Sequence, residues 1–160
     1  MSLKKAVGQM YPLVTQMSWP YIAGFFDGEG GLFITKQIRK DGRIVHRLEC
    51  SITNTNREAI YAISKFISKR PYDCRYKHPV KVRYDIRFCG KGTIEFLKKI
   101  KRFVVAKQEQ INIAFEFQAR MKLGRKRLSP EELDARDELM LRLKKVNGRK
   151  GGWPNALKKV

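Results

Sequence analysis

Asp27 and Glu29 are two carboxylates set among four glycines in Gly24-Phe25-Phe26-Asp27-Gly28-Glu29-Gly30-Gly31, directly after an apolar run. Oxygen donors so closely spaced suit a hard divalent cation. Mg2+ takes carboxylate, backbone carbonyl, water and phosphate oxygens, often with only one or two protein carboxylates. The chemistry open to such a site is metal-assisted hydrolysis of a phosphodiester. A plainer reading stands beside it, in which the two acids are simply solvated at a helix C-terminus. That end of a helix is negative, so something positive is expected to compensate them.

The rest of the chain supplies positive charge in excess. Its 160 residues hold 35 Lys+Arg against 15 Asp+Glu, a formal net charge of +20. Such a balance predicts a polyanionic partner, because phosphate neutralisation with counterion release drives binding whatever sequence is read. No apolar run approaches the roughly 20 residues needed to span a bilayer, so no membrane partner is expected. Met1 to Ser18 mixes Lys4, Lys5 and Gln9 with apolar residues and shows neither the apolar core nor the cleavage site of a signal peptide, which predicts an intracellular protein. Cys50, Cys74 and Cys89 are odd in number and widely spaced, with only His46 and His78 as possible companions. The expectation is three reduced core thiols, no disulfides, no zinc and no nucleotide cofactor.

The elements that must position Asp27 and Glu29 follow from pattern. Ser18 can N-cap a helix with Pro20 in its first turn, running from Trp19 to about Asp27 before Gly28, Gly30 and Gly31 end it. Residues 31–53 form two strand-like runs joined at Asp41-Gly42, a hairpin dipeptide. Arg57 to Lys69 places Ile60, Ile63, Phe66 and Ile67 at helical spacing. A second hairpin turns at His78-Pro79, and from Lys81 to Phe88 polar and apolar residues alternate, sending Val82, Tyr84, Ile86 and Phe88 to the core. Helices follow at about Thr93–Arg102 and Val105–Met121. The last helix starts at the capping box Ser129-Pro130-Glu131-Glu132, runs to Val146 and stops at Asn147-Gly148. Four antiparallel strands with helices on one face make an α+β domain over 19–147, between an N-terminal extension (1–18) and a basic C-terminal tail (148–160) that is expected to be mobile.

This layout leaves one sheet face uncovered. On it fall Thr35, Gln37, Arg39, Arg47, Glu49 and Ser51 from the first hairpin, and Arg75, Lys77, Lys81, Arg83, Asp85 and Arg87 from the second. A bare solvated face could look similar, but it would mix charge signs more evenly. Arg and Gln can read base edges in the major groove, and Asp or Glu can accept from cytosine, so a DNA-reading sheet is the favoured interpretation. A strand of about nine residues reaches roughly 30 Å, or about nine base pairs.

The stretch Tyr21-Ile22-Ala23-Gly24-Phe25-Phe26-Asp27-Gly28-Glu29-Gly30 resembles the signature of the LAGLIDADG homing endonucleases. Ile22 stands at the first Leu, Ala23-Gly24 are kept, Asp27 and Glu29 take the two acid positions, and Gly30 closes the motif. Phe25-Phe26 replace Leu-Ile, and Gly28 replaces the Ala between the acids. The family's αββαββα core matches the element order from Trp19 to Met121, and extra C-terminal helices are usual. The resemblance implies that two motif helices cross at a central interface, with Gly24, Gly28 and Ala23 in the close contact and Ile22, Phe25 and Phe26 in each subunit's own core. One motif per chain implies a C2 homodimer and a near-palindromic double-stranded DNA target, which the strand length puts at about 18–22 base pairs. It further implies Mg2+ or Mn2+ held by Glu29 and the Gly28 backbone carbonyl, with Asp27 at the helix end in a structural role before that of a third metal ligand. Lys107 would lie near the attacking water, Asn54 would order solvent, and Arg57 would follow it as a basic residue. The products would carry short 3′ overhangs, and the biological outcome would be mobility of the enzyme's own intron. An intron maturase that binds structured RNA and a non-catalytic DNA-binding module remain open alternatives.

Overall fold

Helix α1 (Trp19–Glu29) starts where its cap signals place it: the Ser18 hydroxyl accepts from the Tyr21 N–H at 3.4 Å, and Pro20 sits in the first turn. The structure is a computed structural model that describes residues 17–74, 82–121 and 128–148. α1 runs through Gly28 and Glu29, past the expected end at Asp27. The residue that stops it is Gly30, where the backbone turns extended and a Cβ would strike the Phe26 ring and carbonyl at 2.2–2.6 Å.

Strands β1 (Gly30–Ile38) and β2 (Ile44–Asn54) pair antiparallel from Gly30↔Ile52 to Ile38↔Ile44. Their turn uses Gly42 at φ +75°, the left-handed conformation the Asp-Gly dipeptide supplies, and Asp41 accepts from the Arg43 N–H at 3.1 Å. Helix α2 (Arg57–Ile67) is capped by Asn56, whose side chain accepts from the Ala59 N–H at 3.0 Å. Strands β3 (Tyr72–Cys74) and β4 (Arg83–Cys89) complete a sheet of order β1-β2-β4-β3, antiparallel throughout. Helices α3 (Lys91–Ile100), α4 (Gln108–Arg120) and α5 (Pro130–Val146) follow, the last capped by Ser129 as the capping box predicts. The α+β architecture and the element order expected from the sequence both hold.

The core lies between the helices and one sheet face. Ile22 and Phe26 of α1, Leu32 and Ile34 of β1, Leu48 and Ile52 of β2, and Ile86 and Phe88 of β4 are buried with Leu97, Ile111 and Phe117. Phe88 stacks on Phe96 at 4.4 Å and Phe26 meets the same ring edge-on at 5.6 Å, which ties α1, α3 and β4 together. Three expected core positions are exposed, and Ile67 and Tyr84 are half-buried. Val82 precedes β4 and is exposed, Phe66 lies at the surface with its edge against Trp19, and Cys89 is exposed on the uncovered sheet face. Cys50 is a buried free thiol whose pKa burial pushes far up. The turn at His78-Pro79, the Cys74 side chain, the first sixteen residues and the tail beyond Gly148 lie outside the described residues. Among the described residues no helix is long and apolar enough to cross a membrane.

Candidate active site

The end of α1 is gripped by a segment 80 residues further along the chain. One Asp27 carboxylate oxygen accepts from the Val105 N–H at 2.7 Å and the other from the Lys107 N–H at 3.2 Å. Lys107, the residue that precedes α4, returns its side chain to the same place and donates Nζ to the Asp27 main-chain carbonyl. The positive charge expected at this negative helix end is therefore Lys107. Asp27 is occupied by backbone donors. Glu29 is exposed and, among the described residues, makes no hydrogen bond or ion pair. The Gly28 carbonyl belongs to the last turn, two residues beyond the Phe26 carbonyl that accepts the final N–H of the helix, from Gly30.

Asn54 ends β2, two residues beyond the Ile52 that pairs with Gly30, so the register brings it to the sheet end where α1 finishes. Its side-chain oxygen accepts from the Asn56 N–H at 2.8 Å and shapes the turn into α2. Arg57 opens α2 with its guanidinium 4.7 Å from the Tyr61 ring centre. No group of three or more His, Cys, Asp or Glu side chains suited to a metal occurs among the described residues. The oxygens of this turn fit a hard cation only as a partial set, with one free carboxylate per chain.

Among the described residues, the uncovered sheet face carries Thr35, Gln37, Arg47, Glu49, Ser51, Arg83, Asp85 and Arg87, and Asp85 is engaged there within the protein. Thr35 and Arg47 are cross-strand partners, with the Thr35 hydroxyl 3.4 Å from the Arg47 carbonyl, and Ser51 lies between Gly31 and Arg87. Gln37 and Arg39 extend the same face toward the hairpin tip, and both are exposed. Arg47 reaches Glu49 only at 3.9 Å, whereas Asp85 is closely engaged. Its carboxylate is 3% exposed, accepting from the Thr53 hydroxyl at 3.0 Å and from Arg87 Nε at 2.6 Å. Asp85 therefore fixes Arg87 instead of presenting a free acceptor to a base. Arg83 and Arg87 are exposed, while Arg75, Lys77 and Lys81 lie outside the described residues.

No family model matches the sequence, and no curated protein matches it. Solved structures do. An archaeal intron-encoded homing endonuclease, I-Vdi141I, complexed with DNA, aligns with a TM-score of 0.67 and 23% identity over 84% of this chain and 86% of that one. The homing endonuclease I-TnaI aligns at 0.62 and 21% identity, covering 82% of this chain and 97% of its own. The I-LtrWI LAGLIDADG homing endonuclease, bound to target DNA, aligns at 0.64 and 16% identity, where 89% of this chain covers 52% of that chain. The fold is that of the LAGLIDADG homing endonucleases.

Within the LAGLIDADG fold α1 is the motif helix, and its outer face is bare. Gly24 and Gly28 are exposed, and a Cβ at either position would meet nothing within 4 Å; Tyr21 and the half-buried Phe25 share the stripe. Ala23 does not belong to it. It is 0% exposed within this subunit, one step around the helix from Gly24, and packs with Ile22 and Phe26 in the core. Two features of the candidate site have no counterpart in the sequence analysis. Phe33 lies on the uncovered sheet face with its ring across Gly31, a placement its two-residue spacing from Thr35 could have shown. Val105, 83% exposed beside Asp27, has no such signal.

Proposed function

We propose that this protein is a LAGLIDADG homing endonuclease that hydrolyses both strands of a long, near-palindromic DNA site and so promotes the mobility of its intron. One observation carries the reading: folding brings Lys107 onto the helix end that bears Glu29 while Asp27 is held by backbone donors, leaving one exposed acid and one cation at a single point. The similar homing endonucleases solved with DNA, among them I-CvuI in the presence of Mg and of Ca, support the same reading.

Glu29 and the Gly28 carbonyl would hold the divalent metal, Mg2+ or Mn2+. When bound, the metal supplies an activated water and offsets charge on the leaving 3′ oxygen. Lys107 is held in place through its own main chain and side chain, and its ammonium offsets phosphate charge beside that water. Asn54 and Arg57, at the same sheet end, order solvent and contact phosphate. The exposed arginines of the sheet bind backbone and bases, with Thr35, Gln37 and Ser51 as neutral readers.

One free carboxylate at this helix end calls for a second copy, and the exposed Gly24/Gly28 face of α1 is the surface that lets two backbones approach. Coverage of only 52% of I-LtrWI agrees with this chain being one half of a two-fold assembly. Because a Cβ at Gly24 would meet nothing within 4 Å beyond its chain neighbours and its own helix backbone, Gly24→Leu is expected to leave the subunit folded and to lower the sedimenting mass to that of a monomer. The activity is tested by incubating wild type with a supercoiled plasmid library carrying randomised inserts, in Mg2+, Mn2+ or EDTA. Linear products that require metal and share one near-palindromic site of about 20 base pairs are expected. Cutting that persists in EDTA, or no cutting with either metal, contradicts the proposal.

A further inference from the structure

The first hairpin outruns the rest of the sheet. β4 pairs with β2 only from Glu49 to Asn54, so β2 from Ile44 to Leu48 and its β1 partners from Ile34 to Ile38 continue as a two-stranded ribbon. Two-stranded ribbons twist more variably than broad sheets and are marginal on their own. On the ribbon's front stand Thr35, Gln37 and Arg47, the outermost strand positions of the proposed reading face.

Behind the ribbon, one carboxylate holds both strands. Lys36 and His46 are a cross-strand pair that faces the helices, and Asp137 of α5 reaches both. Lys36 Nζ donates to Asp137 Oδ2 at 2.5 Å, and His46 Nε2 lies 2.7 Å from Asp137 Oδ1. The His46 side chain is 0% exposed, and its Nδ1 has no hydrogen-bond partner among the described residues. An apolar side chain of similar size would fill that space without a buried unpaired nitrogen, and the half-exposed Asp137 would keep Lys36, so stability alone does not account for a histidine here. What the histidine and lysine add is direction: they fix the two strands to one point on α5. Since side chains alternate across a strand, turning Lys36 and His46 turns Thr35, Gln37 and Arg47 with them.

We propose that Asp137 is a positioning residue for DNA specificity, setting the twist of the ribbon through Lys36 and His46 and so the register of Thr35, Gln37 and Arg47 on the outer base pairs of each half-site. This rests on the homing-endonuclease reading, in which the sheet end bearing Glu29 faces the centre of the site and the ribbon tip faces outward. The acid on the helix layer would then govern recognition without touching DNA.

The test is a binding selection from randomised 24-base-pair duplexes in Ca2+, comparing wild type with Asp137→Asn, Lys36→Met and Arg142→Met. Asp137→Asn is isosteric, and Lys36→Met removes only the outer leg of the clamp. Arg142→Met breaks a different α5 ion pair, the exposed one to Glu116 at 3.1 Å, and controls for helix docking. The expected result is that both clamp variants lose about tenfold discrimination at the outer positions, the scale of one base-pair mismatch, while the inner positions and the control profile stay as in wild type. Uniform loss across the site, an unchanged profile, or the same outer loss in Arg142→Met overturns the assignment. If wild type itself enriches no sequence, the reading of the sheet falls first and the inference with it, an outcome distinguishable from selective failure of the clamp variants.

Discussion

Asp27 and Asp137 anchor opposite ends of the same strand, and they leave different groups available. At the start of β1, Asp27 accepts two backbone N–H groups and releases Glu29, its neighbour two residues on, to solvent. Near the end of β1, Asp137 engages both Lys36 and His46, and their neighbours Thr35, Gln37 and Arg47 lie on the opposite, uncovered face. The difference separates two functions along one strand. On the proposed function, an acid fixed by rigid main chain supports the free acid that would hold the metal, whereas an acid fixed by side chains would steer the residues that read DNA.

Replacing the free acid should have the largest effect. Glu29→Gln is expected to lower cleavage by about 10³-fold, the upper range for loss of a preorganised transition-state contact, while DNA binding stays normal or tightens. A gel-shift assay beside a nicking assay separates the two. Lys107→Met should cost about 10²-fold in single-turnover cleavage, since it removes a positioned cation and leaves the metal carboxylate in place. If the two variants lost activity equally, the division of roles between them would be wrong.

At Asp27 the expected loss is of stability. Asp27→Ala leaves the Val105 and Lys107 N–H groups without their carboxylate, and hydrogen bonds to charged groups contribute about 1.5–3 kcal/mol each. Since both N–H groups can reach water once the carboxylate is gone, a drop of about 2 kcal/mol in urea unfolding is expected. The smallest effect concerns acid. Asp137 is held below the usual carboxylate range by hydrogen bonding to Lys36 and then to His46, and Glu132 is lowered by Arg136. A depressed folded-state pKa contributes stability that is complete above the unfolded value of about 4 and is lost as pH falls through the folded one. The melting temperature should therefore decline below about pH 4, and Asp137→Asn should make that decline shallower.

Much of the fold was legible because its signals are local. Ser18-Pro20, Asp41-Gly42 and Ser129-Pro130-Glu131-Glu132 each set a boundary by the backbone geometry they favour, and each boundary appears where expected. The faults arose where a distant residue decides. Gly28 lies inside α1 although glycine disfavours helix, because Gly30 is the residue pressed against Phe26. Ala23 and Gly24 are neighbours in the motif, yet helical rotation sends one to the core and the other to the surface. Asp85 has the alternation of a reader, but Thr53 on the adjacent strand closes over it. The site shows the same division. Asp27 and Glu29 announce themselves by spacing, whereas Lys107 is one lysine among many until the family pattern singles it out and the fold docks it on Asp27. Asp137, Lys36 and His46 share no spacing that would connect them.

Everything proposed for the chemistry turns on Glu29, and not Asp27, being the carboxylate that holds the metal. Mn2+ binding followed by electron paramagnetic resonance on the duplex-bound protein decides between them, with wild type, Glu29→Gln and Asp27→Asn compared side by side. Bound Mn2+ should be lost in Glu29→Gln and retained in Asp27→Asn. Retention in Glu29→Gln with loss in Asp27→Asn would contradict the assignment.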